Sequence, residues 1–554
     1  MTDASAYHEQ TNHTPESIRR STVTMDPANK PRTTKRYLET DRIELDRITP
    51  PWDPALSLVA ERRADPLART DQRVRTPIDL EVLATLCYEA SGITNEVDVD
   101  GRTMRFRAAS CTGKLYHVDC YVVCGDLADL DAGIYHFDPA TFAFDVVRTG
   151  DFRGVLTAAA GAPSASAGDP SAASGDPSET AGQPVAENGP SATGIEAAPV
   201  TVVTTSTWWR NAWKYRDRTY RHAFWDAGTV LANLLATAHG LDLQAGVVAG
   251  FADDPVAKLL GVDPREEGPL ALVPIGSGSP VPEPPTVEPI DHETAPLSPN
   301  PREYPLIYEA WNASTLPDGA AASEWRAAAR SAIGAGTAAA GDGDSVPLDP
   351  VDHETASGRP LHPVVVRRGS NREFAEAGPS RRKVGTVLDR ATRGLAGDWN
   401  GGVANGLEYL TAYVLATGVD GIPDGTYQYH PADGGRAAGD DDPTDVALER
   451  LGPVDRGTKA HLALDQQWAG DAHVNVYLTA DVDAIVAALG NRGYRLVQLE
   501  AGLVLGRLYL ATYAHRELGG TGLTFFDDLV ADHLAPRADG QMPMTMFCFG
   551  RRAE

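Results

Sequence analysis

"RTYRHAFWDAGTVLANLLATAHG", from Arg218 to Gly240, returns later in the chain as "RGYRLVQLEAGLVLGRLYLATYA", from Arg492 to Ala514. In the first copy Tyr220, Phe224, Ala227, Leu231 and Leu235 recur at three- and four-residue steps, the spacing of an amphipathic helix. Downstream, "GFADD" ending at Asp254 is echoed by "TFFDD" ending at Asp528, and these two aspartates are as far apart as Arg218 and Arg492. Upstream, "AGIYHFDP" ending at Pro139 matches "DGTYQYHP" ending at Pro431 at a longer spacing, because an insert over 160–199 lies inside the first copy. A register kept over such lengths marks an internal duplication. The chain reads as two related halves, residues 35–275 and 361–554, with an N-terminal arm (1–34) and a connecting region (276–360).

Composition sets the outer limits. A chain of 554 residues exceeds one hydrophobic core, and 42% hydrophobic residues suffice to fill several. A formal net charge of −27 predicts a solvated acidic surface suited to high salt, as in a halophile, and argues against bulk nucleic-acid binding, which needs a basic face. Only seven of the 49 cationic side chains are lysines. The five cysteines have no CxxC spacing, so neither a disulfide framework nor a zinc ribbon is expected, and a reducing cytoplasm fits. The start, "MTDASAYHEQTNHT", lacks a basic-then-apolar signal pattern, and the apolar stretch around Leu503 is broken by Glu500 and Arg507, so no membrane span is expected.

Three stretches, 160–199, 276–305 and 331–360, are rich in Ala, Gly, Pro, Ser and acids and are expected to be disordered. "DHETA" occurs in two of them, at Asp291–Ala295 and Asp352–Ala356, and reads as spacer rather than as a metal ligand set; no metal site is expected. "CYVVC" (Cys120–Cys124) and "AHVNVYLTA" (Ala472–Ala480) read as strands, and "AGIYHFDP" as a strand pair closed by a glycine turn. Irregular alternation of helices and strands predicts an α+β, three-layer arrangement.

Two short segments invite chemistry. "RRGSNREF" sets Arg368, Ser370 and Arg372 in a turn before a helix, giving guanidinium forks and a hydroxyl suited to a phosphate dianion. "WWRNAWKYRD" carries Lys214 and Tyr215 among tryptophans and arginines, which predicts a lysine whose pKa is lowered by burial and by Arg210, Arg216, Arg218 and Arg221. Arg218 and Arg221 recur as Arg492 and Arg495, so they are read as structural, pairing with Asp226 and Glu500 along their own helices. Trp208, Trp209 and Trp213 are read as core or wall.

Taken in order, "YHEQTNHT", "RAASCTGKLYHVDCYVV", "AGIYHFDP", "WRNAWKYRDRTYR", "GFADD" and "RRGSNREF" resemble the FMN-dependent nitroreductase-like family, in its SagB/ThcOx-type dehydrogenase branch. The resemblance implies two tandem nitroreductase-like α-β-α domains forming an intramolecular pseudo-dimer, open to further oligomerisation, with FMN at the interface. It implies that Arg368, Ser370 and Arg372 grip the FMN phosphate, aided by Arg551. Ser110, Cys111, Thr112 and Gly113 would stand where the family has a small-residue loop facing the flavin ring, without its usual proline, and Gly520, Thr521 and Gly522 would line a flavin edge. The second-half counterpart of that loop, Gly402–Asn405, has no serine, and the first half has only the distant "SIRRSTVTMDP" for the phosphate grip, so one complete site and one FMN per chain follow. In this branch a Lys-Tyr pair is implicated in catalysis, here Lys214 and Tyr215, with no counterpart in the second half. The activity implied is two-electron oxidation of a small molecule or peptide, in particular azoline to azole, with a cyclodehydratase partner. The alternatives are an NAD(P)H-dependent nitro- or quinone reductase and a non-catalytic flavin-binding scaffold.

Overall fold

A computed structural model describes residues 3–21, 24–60, 77–99, 101–162, 194–339, 341, 343–352, 358–400, 406–431 and 446–553. In the first half the strands are β1 (Arg42–Glu44), β2 (Ile93–Val99), β3 (Arg102–Arg107), β4 (Val118–Cys124), β5 (Gly133–Asp138), β6 (Ala143–Thr149), β7 (Val200–Thr207) and β8 (Glu267–Ile275). In the second they are β9 (Ser345–Pro347), β10 (Thr411–Ala416), β11 (Gly425–His430), β12 (Ala447–Gly452), β13 (Val474–Ala480), β14 (Leu518–Gly522) and β15 (Met542–Arg551). "AGIYHFDP" supplies the single strand β5, whose turn comes after it, at Pro139–Phe142, rather than within it.

Two antiparallel sheets result, in the orders β1-β6-β5-β4-β7-β8 and β9-β12-β11-β10-β13-β15-β14, while β2 and β3 form a separate hairpin. Apart from β14 the sheets correspond in strand order: Val122 pairs with Val202 in one, and Val414 with Val476 in the other. The place of β14 is taken in the first half by the bridges of Ala245 to Ile275 and Val248 to Leu272. Side chains alternate across each sheet. On β4, Cys120, Val122 and Cys124 enter a central core shared by both halves, whereas Tyr121 and Val123 enter an outer core under the helix Asp253–Leu260. On β13, Val474, Val476 and Leu478 face the shared core and Tyr477 an outer one. Sheets covered on both faces explain why β4, β7 and β13 read as unbroken buried runs.

Between the sheets lie the long helices Thr219–Gly240 and Val482–Ala514. The predicted amphipathic helix is instead buried on nearly every side, because its polar residues bond to other elements rather than to water. The two helices cross where Gly228 meets Gly502: a Cβ on Gly228 would stand 2.2 Å from the Gly502 carbonyl carbon, and one on Gly502 2.5 Å from the Phe224 oxygen. One turn on, Gly506 meets Ala232 at 2.5 Å. Only backbones this bare can approach so closely.

The crossing places each helix start against the other half's aspartate. Arg218 and Arg221 pair with Asp527, at 3.0 and 2.8 Å, and Arg492 and Arg495 pair with Asp253. The expected pairing with Asp226 and Glu500 on the same helices does not occur, since those acids face the loops before β4 and β10. Each arginine pair also ties down an arm: Arg218 and Arg221 bond to Thr11 and His8, and Arg492 and Arg495 to Ser314 and Trp311. The helix Pro305–Ala313 thus does for the second half what Ala4–Gln10 does for the first.

In two stretches expected to be disordered, the described residues are laid down as ordered chain. Residues 276–305 run extended, with Ala295 N donating to Arg36 O, Leu38 N to Glu293 O and Arg32 N to Leu297 O. In 331–360, β9 pairs with β12 and Leu348 is fully buried. The first "DHETA" lies in the extended run, where His292 bonds to the Val147 carbonyl; most of the second, and 163–193 of the insert, fall outside the described residues. No helix among the described residues is long and apolar enough to cross a membrane.

Candidate functional site

At the end of β7 the chain enters a lead-in helix, Trp208–Tyr215, anchored by its tryptophans: Trp208 Nε1 donates to Pro264 O, Trp209 Nε1 to Ser298 Oγ and Trp213 Nε1 to Asp26 O. The helix stops at Arg216, whose φ of 51° and ψ of −133° are unfavourable for a residue with a Cβ. The second half makes the same break at Gly490, with φ 63° and ψ −170°. The lead-in helix is therefore present twice, and only its chemistry differs: Lys214 and Tyr215 correspond to Ala488 and Leu489.

The break leaves Lys214 and Tyr215 in the last helical turn, beside the 110–113 loop. A Cβ on Gly113, at φ 67°, would lie 2.7 Å from the Tyr215 hydroxyl, so the phenol rests on that glycine. The Tyr215 ring packs edge-on against His222 at 4.7 Å, and burial raises its pKa above the ordinary phenol range. The Lys214 ammonium lies 4.9 Å from the Tyr215 ring centre. Its pKa is lowered, first by burial and then by Arg372, Lys30 and Lys114. The neighbouring arginines do not supply this repulsion, because Arg210 is spent on Asp119, and Arg218 and Arg221 on Asp527. Lys30 comes close because Trp213 holds Asp26, a contact no local pattern announces.

The loop itself is strung from Asp226. One carboxylate accepts Thr112 N at 2.9–3.0 Å, Thr112 Oγ1 at 2.9 Å, Cys111 Sγ at 3.0 Å and His117 Nε2 at 2.8 Å. Thr229 Oγ1 donates to Ser110 O. In the second half Glu500 accepts Glu408 N and Tyr409 N, and burial pushes its carboxyl up to about 7. The predicted counterpart loop, Gly402–Asn405, lies outside the described residues.

From the second half come the remaining predicted residues. Arg368 reaches across the interface: its Nε donates to Ala108 O at 2.9 Å and its Nη2 to Arg107 O and Ala109 O at 2.8 and 3.1 Å, while the guanidinium stacks on Tyr509. Most of its fork is spent holding the strand that leads into the loop, so it braces the site. Arg372 stacks on Trp468 at 4.7 Å and, like Ser370, is exposed. Gly520 and Gly522 are fixed by tyrosines of the long helix, Tyr513 donating to Gly520 O and Gly522 N donating to Tyr509 Oη; Thr521 between them is buried. Asn371 N bonds to Gly520 O, joining the arginine loop to β14. Arg551 stands apart, exposed, its charge acting on Glu517.

The fold thus gathers Lys214, Tyr215, the 110–113 loop, Arg368, Ser370, Arg372 and the 520–522 edge from both halves. Three cations, Arg372, Lys30 and Lys114, act on Lys214 there, and in a protein of net charge −27 that local excess suits a ligand carrying an anionic group. A separate cleft of about 930 Å³, lined by Lys35, Trp208, Arg210, Arg265, Glu267 and Tyr308 among others, contains none of the predicted site residues.

Comparison with known proteins gives the chemistry a class. Residues 74–277 match the model of the Nitroreductase family. A curated protein of Methanocaldococcus jannaschii, named "Putative nitroreductase", is 23% identical over 201 residues, 36% of this chain and 82% of its own. Among solved structures, a "putative nitroreductase" from Anabaena variabilis superposes over 100% of both chains with a TM-score of 0.69 at 20% identity, which shows a shared fold. A chain of the E. coli microcin synthetase McbBCD complex, solved with truncated pro-MccB17, matches 49% of this chain and 91% of its own at 19% identity and a TM-score of 0.26. The protein carries a nitroreductase-family domain on an α+β fold and is an oxidoreductase.

Proposed function

We propose that the protein is an FMN-dependent oxidoreductase of SagB type, built as a pseudo-dimer of two tandem nitroreductase-like domains that share one flavin site. The observation that carries this reading is the placement of Lys214 and Tyr215, a pair without counterpart in the other half, against a glycine loop of one half and an arginine loop of the other. FMN fits the donor set: Ser370 and Arg372, with Lys30 and Lys114, would hold its phosphate, and the 110–113 loop and Gly520–Gly522 would border its ring. Arg551 drops to an outlying role. When bound, the flavin supplies a two-electron acceptor for a hydride from the substrate carbon.

The remaining proton is the chain's own problem. Conversion of an azoline ring to an azole removes one hydride and one proton, and a base must take the latter. Lys214 does so in its neutral form, which the flanking cations and partial burial make accessible. Tyr215 keeps the ammonium placed through its ring face and rests on Gly113, so loop and base move together. Peptide azolines are the proposed substrates and a cyclodehydratase the partner that generates them. Reduction of nitro compounds or quinones by NAD(P)H would need no such base.

The test uses purified chain reconstituted with FMN and followed by flavin absorbance. Lys214→Ala should retain flavin and lose about 10²–10⁴-fold in azoline oxidation, the usual worth of a placed base. Lys214→Arg should be as inactive, because guanidinium stays protonated. Turnover of either variant at the wild-type rate would remove the base from the mechanism; a chain that cannot take up FMN would remove the whole reading.

A further inference from the structure

We propose that Cys111, His117 and Asp226 form a binding site for one divalent transition-metal cation, zinc foremost, beneath the 110–113 loop. A thiol sulfur, an imidazole nitrogen and a carboxylate oxygen, the donor types zinc prefers, converge here from the segment leading into β4 and from the helix Thr219–Gly240, all within 4.8 Å of one another. Cys111 Sγ and His117 Nε2 lie 3.0 and 2.8 Å from the same Asp226 oxygen. Zinc bonds of about 2.0–2.3 Å in a tetrahedron require donors spaced about 3.3–3.8 Å apart, so the Cys111 and His117 donors each need to part from the Asp226 oxygen by less than an ångström.

The surroundings are those of a metal centre. His117 Nδ1 is bonded to Ser206 Oγ at 2.8 Å, which fixes the ring and leaves Nε2 for the metal. The other Asp226 oxygen is held by Thr112 N and Oγ1. Beside the cluster is a void of about 10 Å³ bordered by Ser110, Cys111, Tyr116 and Asp226, room for a single water as fourth ligand. Arg107, also on its wall, donates to the Val118 and Thr33 carbonyls. Binding releases the Cys111 proton to solvent, and thiolate, carboxylate and neutral imidazole then balance a dication, so no net charge is buried.

Comparison of the halves separates this role from simple bracing of the loop. The sequence positions corresponding to Cys111, His117 and Asp226 are Val403, Tyr409 and Glu500. Glu500 alone holds its own strand entry through two backbone N–H groups. Bracing therefore needs only the acid, and the thiol and imidazole are extra in the half that carries Lys214.

The inference does not rest on the flavin reading and is tested without turnover. The full chain is dialysed against chelator-buffered Zn²⁺ and its metal content measured. One zinc per chain is expected. Cys111→Ser, which keeps a donor to Asp226, should weaken binding more than about 100-fold, and Ser206→Ala by about 10–100-fold, the usual effect of losing a partner that orients a ligand. With Co²⁺ in place of zinc, a thiolate-to-metal absorption band should appear and vanish in Cys111→Ser. Failure to take up stoichiometric zinc, or equal retention by Cys111→Ser, overturns the proposal and leaves the three side chains as a hydrogen-bonded brace.

Discussion

Asp527→Asn tests whether the two halves hold each other up. The Asp527 carboxylate accepts Arg218 Nη1 and Nη2 at 3.0 and 3.2 Å, Arg221 Nη1 at 2.8 Å and His13 N at 2.7 Å, with all three charged groups buried. Asparagine keeps the shape and the acceptor for His13 but removes the only anion among the described residues that pairs with these two guanidiniums; their other acceptors there are Thr11, His8 and Asn12 oxygens. Leaving buried charge uncompensated costs about 3–5 kcal/mol. That is a large share of the roughly 5–15 kcal/mol that keeps a domain folded, and it lowers the folding constant by about 10²–10³·⁵. The measurement is denaturant unfolding followed in both halves, with the shift in midpoint taken at constant slope. The arginines also hold the N-terminal arm, so proteolysis within residues 3–14 should speed up as the midpoint falls. The pH dependence fixes the sign. These arginines hold the Asp527 carboxyl well below the ordinary carboxylate range, so its contribution is complete above about pH 4 and is lost as pH falls toward its folded value. The variant should lack that acid-side loss. A cost below about 1 kcal/mol, the range of an exposed pair, would refute the argument.

Two further outcomes follow from backbone strain and from a buried amine. Arg216 occupies a conformation that costs a residue with a Cβ about 1–3 kcal/mol, and the matching position is Gly490; Arg216→Gly should gain about 0.5–2 kcal/mol after the glycine's greater unfolded-state entropy, read as a rise in Tm. Lys459 is fully buried, donates to Thr417 Oγ1 and Ala472 O, and has its pKa lowered to about 7 chiefly by burial. The unfolded chain binds this proton up to about pH 10, so the wild type should gain stability as pH rises from 7 to 10; in Lys459→Met that slope should be absent, as equilibrium unfolding across this range would show.

The duplication was legible because a helix buried in the shared core keeps its spacing: Arg218, Arg221 and Gly228 return as Arg492, Arg495 and Gly502. What the arginines bond to was not legible, since Asp226 lies nearer in sequence and only the crossing at Gly228 and Gly502 brings Asp527 closer in space. Residues 276–305 read as disordered for want of apolar side chains, yet backbone pairing with residues 32–38 holds part of this run, and composition does not report backbone hydrogen bonds. The arginine loop was recognisable, but not that Arg368 would spend its fork on carbonyls of the other half. Asp226 lies more than a hundred residues from Cys111 and His117, so the convergence of the three exists only in the fold.

Some of the differences between the halves gather in one place, and this supports the proposed single composite site. Positions that set the architecture match: Arg218 and Arg492, Asp253 and Asp527, Gly228 and Gly502. Among the positions that differ in chemical kind, Lys214 against Ala488, Tyr215 against Leu489, Cys111 against Val403 and His117 against Tyr409 gather in one neighbourhood of the first half. The arginine loop that faces this neighbourhood belongs to the other half, through Arg368 and Arg372. The site we propose therefore draws on both halves, and the reciprocal burial of Asp253 and Asp527 ties its geometry to the same contacts that keep the halves together.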